Sequence, residues 1–135
     1  MFVRIILAAS TVLLATLPVA AAQIADKDCQ GLRQEEREAV VRKAPTCDKA
    51  MVAFGDCAFG ASGDIGLGQI VTEKCQGDFL QKLGSWRKSG YERGIKRCND
   101  KYARKEGTMY VAMAAYCRAQ LAQTYSRKYG KPKSR

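Results

Sequence analysis

The chain has 135 residues, with 23 Lys and Arg against 13 Asp and Glu, a formal net charge of +10, six cysteines and no histidine. The absence of histidine excludes the Ser-His and Cys-His nucleophile arrangements and removes a principal zinc ligand. Residues 23–135 are enough for one domain and too few for two ordinary ones.

The chain opens with a short positive start, Met1 to Arg4, followed by an apolar run from Ile5 to Ala15. Pro18 then precedes Val19-Ala20-Ala21-Ala22, and an Ala-x-Ala pattern at 20–22 suits a signal peptidase. Residues 1–22 are therefore expected to be a cleaved signal peptide, leaving Gln23 first. The apolar run falls short of the ~20 residues that span a bilayer. Position 23 is not cysteine, which argues against a lipid anchor, and no later stretch is long and apolar enough to cross a membrane. The expected address is the periplasm or the exterior.

After a loose lead-in over 23–30, the composition predicts a first helix from Leu32 to Lys43. Pro45 ends it, and Thr46 is placed to cap a second helix from Cys47 to about Phe59. Gly60-Ala61-Ser62-Gly63 is a break. Asp64 is expected to cap a third helix from Ile65 to Leu83. Gly84 closes that element, and Ser85 caps a fourth from Trp86 to about Lys105. Gly107 breaks the chain again and Thr108 caps a fifth, to about Tyr125, with Tyr110, Met113, Ala114, Cys117 and Leu121 as its buried side. The predicted fold is all-α, a bundle of four to five helices over 23–126, with residues 127–135 as a flexible basic tail.

All six cysteines (Cys29, Cys47, Cys57, Cys75, Cys98, Cys117) follow the leader, and no Cys-x-x-C pair occurs. In an exported chain this predicts three disulfides, with fifteen possible pairings. Residues equidistant from a tight turn face each other in an antiparallel helical hairpin. Cys98 lies nine residues before Gly107 and Cys117 ten after it, which favours that bridge. Cys47 and Cys75 each lie 14 residues from Ala61 and are plausible partners. Cys29 and Cys57 then pair less symmetrically across Pro45.

The fourth helix has two faces. At about 100° per residue, Tyr91, Ile95, Cys98 and Tyr102 form an apolar stripe. Arg93, Arg97, Lys101 and Arg104 share the opposite side, with Asp100 beside them. Charge is also uneven along the chain: residues 87–135 carry 14 Lys and Arg against 3 Asp and Glu. Such asymmetry favours an anionic partner, which makes the four cations the candidate binding residues. Tyr102 and Tyr110 point toward the core rather than toward stacked bases, and no nucleic-acid module is visible, so nucleic acid is a poor fit. Glu35, Glu36 and Glu38 sit in the first turns of a helix, where negative charge favours the N-terminus. They are a poor basis for catalysis. No catalytic residue, metal site or cofactor is expected.

Two clusters of motifs carry a resemblance. The first is Cys47-Asp48-Lys49-Ala50, then Cys57-Ala58, then Gly63-Asp64-Ile65-Gly66-Leu67. The second runs from Trp86 through Tyr91 and Arg93 to Cys98, continuing with Glu106-Gly107-Thr108-Met109-Tyr110 and Cys117-Arg118-Ala119-Gln120-Leu121. Over residues 47–125 the chain resembles the LprI-type lysozyme-inhibitor family of small exported bacterial proteins. It departs from the family pattern at Val71, in place of an aromatic residue, at Gly68, in place of Asn, and in having Cys29 and Cys75. The resemblance implies a non-enzymatic protein that protects the cell wall by binding lysozyme. The alternative from the charge pattern is an envelope-associated protein that holds an anionic polymer or lipid surface through the basic helix.

Overall fold

A computed structural model describes Cys29 and residues 31–130. The expected leader and residues 131–135 lie outside the described residues. The described part is an all-α bundle stapled by three disulfides: α1 (Gln34–Lys43), α2 (Cys47–Cys57), α3 (Asp64–Phe79), α4 (Ser85–Tyr102) and α5 (Thr108–Tyr125). A 3₁₀ turn (Leu80–Lys82) follows α3, and a π-helical turn (Ser126–Gly130) extends α5. No described helix is long and apolar enough to cross a membrane.

The helix starts follow local chemistry, in part differently from expectation. Thr46 does cap α2, its hydroxyl accepting the Lys49 N–H at 3.2 Å. Asp64 does not cap α3. Its buried carboxylate instead reaches back and accepts the N–H groups of Phe59, Gly60 (2.7 Å) and Ala61, so it organises the preceding turn. Ser85 and Thr108 are likewise the first helical residues rather than caps. Gly84 and Gly107 take the cap positions, and Gly107 has φ 108°, where an L side chain is strained. The fourth helix ends at Tyr102, short of Lys105.

The bridges are Cys29–Cys57, Cys47–Cys75 and Cys98–Cys117, with Cα separations of 4.9, 4.7 and 5.6 Å. The first two knit the N-terminal segment, α2 and α3 into the main core around Phe54, Leu67, Val71 and Phe79. The third fastens α4 to α5.

Helix α5 is central, and its buried side differs from expectation. The fully enclosed stripe is Ala112, Ala115, Ala119 and Ala122, whereas Met113 is exposed and Tyr110, Cys117 and Leu121 are half-buried. The reason is close approach. A Cβ at Gly68 of α3 would lie 2.9 Å from the Ala115 Cβ, so small residues on both helices bring the backbones together. Leu121, Cys117 and the buried Ala114 sit on a second side, where Cys117 and Leu121 meet Cys98 and Gly94 of α4.

Residues 127–130 are not a free tail. The Ser126 hydroxyl donates to Asp78, Lys82 donates to the Gly130 carbonyl at 2.7 Å, and Arg127 pairs with Asp48 at 2.7 Å. These contacts fold the turn back onto α3 and α2. Tyr129 is carried with it to Tyr125, at 5.4 Å between ring centroids.

Candidate functional site

An aromatic cluster sets where the basic face lies. Tyr91 of α4 meets Phe79 of α3 edge-on at 5.1 Å and Tyr125 of α5 at 5.0 Å. The Tyr91 hydroxyl accepts a hydrogen bond from Gln76 at 3.0 Å, and burial raises its pKa above the usual tyrosine value. With Tyr91 locked inward, the helical period turns Arg93, Arg97 and Lys101 outward. All three are exposed.

These cations line two adjoining depressions along the seam between α4 and the C-terminal part of α5. The first is a cleft of about 340 Å³ bounded by Trp86, Arg87, Arg93, Arg97, Lys128 and Tyr129. Gly90 and Tyr125 complete its lining, and a Cβ at Gly90 would touch the Tyr125 hydroxyl at 3.5 Å. The second, also about 340 Å³, is lined by Gly94, Arg97, Lys101, Gln120, Leu121 and Thr124, beside the Cys98–Cys117 bridge. Arg97 belongs to both.

Among the described residues, no carboxylate lines either depression. Among the described residues, Arg87, Arg93, Arg97, Lys101 and Lys128 take part in no salt bridge. Asp100 pairs with Lys96 at 2.6 Å and leaves the stripe uncompensated. The guanidinium of Arg87 and the ammonium of Lys128 lie 5.4 and 5.2 Å from the centre of the Tyr129 ring, whose π-face attracts both cations. Trp86 is 79% exposed at the rim.

Of the four cations singled out in the sequence, Arg93, Arg97 and Lys101 come together here. Arg104 does not. It lies past the end of α4, in the exposed turn before α5, and lines neither depression. Tyr102 and Tyr110 stack on each other at 6.5 Å near that turn and are half-buried. The acidic cluster is engaged locally: Glu36 accepts the Arg33 N–H and Glu38 the Gln34 amide, both at 2.8 Å.

Sequence reasoning missed Trp86, Arg87, Gln120, Thr124, Lys128 and Tyr129. Trp86 carried a usable signal, because its spacing to Arg93 and Arg97 (i, i+7, i+11) puts it on their helix face. Lys128 and Tyr129 carried none once the segment was read as a tail. No protein-family model, curated protein or solved structure matches this chain.

Proposed function

We propose that this is an exported, non-enzymatic binding protein that holds an anionic component of the cell envelope through the basic seam of α4. The observation that carries this reading is the cation-lined, acid-free surface built by Arg93, Arg97 and Lys101. Water-exposed cations without paired acids keep a positive potential that attracts and orients anionic ligands. The three disulfides support an oxidising compartment, periplasmic or extracellular, and fit the leader read at residues 1–22. The purified oxidised chain is expected to be retained on an anionic matrix and released by moderate salt. Combined Arg93→Glu, Arg97→Glu and Lys101→Glu substitution should abolish retention, and unchanged retention would reject the reading.

A second reading, lysozyme inhibition, is favoured by the turn between α4 and α5. Arg104 and Lys105 are exposed there, with Lys101 exposed one helical turn back at the end of α4. Lysozyme cleaves between two carboxylates, and a cationic turn entering that cleft pairs with them and blocks it. The mature chain should then slow lysis of peptidoglycan, and Arg104→Glu should weaken the effect. No inhibition at large molar excess across several lysozyme types would remove this reading.

A further inference from the structure

The first cleft has a feature that a plain electrostatic surface does not need. Trp86 is the only tryptophan in the chain, and it is left 79% exposed at the rim of a cation-lined hollow. Exposing so large an apolar ring forgoes the gain of burying it. Its surroundings argue against a membrane anchor. Among the described residues lining this cleft, Trp86 is the one strongly exposed large hydrophobic side chain, and the neighbouring Tyr125 and Tyr129 are half-buried. Interfacial insertion draws its strength from contiguous apolar area, and one ring supplies little.

We infer that this cleft is a subsite for an acidic sugar unit of an anionic glycan, with Trp86 as the stacking platform and Arg87, Arg93, Arg97 and Lys128 as the groups that hold its negative charge. The C–H face of a sugar ring is apolar and flat enough to cover an indole. Its phosphate, sulfate or carboxylate groups then meet guanidinium groups, whose planar donors bind such anions in pairs. At about 340 Å³ the hollow lies at the small end of ligand pockets, suited to one or two sugar units. Tyr129 holds Arg87 and Lys128 beside the entrance.

The neighbouring depression extends the argument from one unit to a chain. It shares Arg97, adds Lys101, and contributes Gln120 and Thr124 as hydrogen-bonding groups for sugar hydroxyls. From Arg87 to Lys101 the helix rises roughly 20 Å at 1.5 Å per residue. That length matches an oligosaccharide lying along the seam.

This inference rests on the anionic-ligand reading above, and the experiment separates the two. Because Trp86 is the sole tryptophan, its emission reports directly on the cleft. The oxidised mature chain is titrated with a heparin-derived tetrasaccharide, the same tetrasaccharide after desulfation, inorganic sulfate, and phosphatidylglycerol vesicles. The expected result is a saturable change in Trp86 emission with the sulfated tetrasaccharide that neither desulfated sugar nor free sulfate reproduces. By calorimetry, Trp86→Ala should weaken tetrasaccharide binding about tenfold. Arg87→Glu with Lys128→Glu should weaken it at least as much, while Lys49→Glu on α2 leaves it unchanged. Circular dichroism confirms that each variant folds. Wild-type affinity in Trp86→Ala overturns the sugar platform, even where the charge-reversal variants still lose retention on an anionic matrix. Equal binding of free sulfate reduces the cleft to an anion site and overturns the inference, as does a Trp86 response to vesicles alone. Loss of all anion binding overturns this inference and the reading beneath it together.

Discussion

Replacing Gly68 by alanine tests the close backbone approach of α3 and α5. A Cβ there would lie 2.9 Å from the Ala115 Cβ and 3.1 Å from the Ala115 carbonyl oxygen, atoms that cannot swing aside. Alanine gains up to about 1 kcal/mol of helix propensity over glycine. Forcing a methyl group into a packed contact costs about 1–3 kcal/mol. The net expectation for Gly68→Ala is a loss of up to about 2 kcal/mol. Gly77 lies on the exposed side of the same helix with nothing within 4 Å of its would-be Cβ. Gly77→Ala should therefore stabilise by about 0.5–1 kcal/mol. Urea unfolding of the oxidised chain, followed by circular dichroism, reads both changes as midpoint shifts at constant slope. If the two substitutions shift the midpoint the same way, the close α3–α5 approach is wrong.

Asp64→Ala removes the acceptor of three backbone N–H groups and should cost about 2–4 kcal/mol in urea unfolding. Tyr91→Phe deletes the bond from Gln76 and should cost about 0.5–1.5 kcal/mol near neutral pH. Burial raises the Tyr91 pKa in the folded state, so the unfolded chain releases that proton first and the neutral phenol stabilises the fold below pH 10.0. That contribution is lost as pH rises from 10.0 through the folded value, and Tyr91→Phe should reduce the decline in stability over this window. Replacing Cys98 and Cys117 by serine opens a loop closed across 19 residues and should cost about 3 kcal/mol. The same change should loosen the cationic seam, read as faster amide exchange in α4 than in α3.

Much of the architecture was legible because it is written locally. Gly, Pro and Thr46 punctuate the helices, and equal rise per residue placed Cys98 opposite Cys117 and Cys47 opposite Cys75. Three features were not legible, each for a tertiary reason. The enclosed face of α5 is the alanine stripe rather than the one with Met113, because helix approach here is limited by side-chain size rather than driven by hydrophobicity. Asp64 has a good cap's identity, yet its carboxylate is drawn to the turn before it, where three N–H groups converge. The candidate site was visible only as its α4 half. Arg93, Arg97 and Lys101 follow from period, but the opposing wall of Lys128 and Tyr129 depends on Ser126 and Lys82 tying the last turn to the α3 region. Arg104 was misplaced because α4 stops at Tyr102.

The most direct test of the basic seam as the working surface is residue-by-residue NMR of the oxidised mature chain during titration with an acidic oligosaccharide. The account predicts shifts confined to the Trp86 indole and to Gly90, Arg93, Arg97, Gln120 and Lys128, all fading as salt is raised. Shifts centred on α1 and α2, or none at concentrations where an anionic matrix retains the protein, would contradict it.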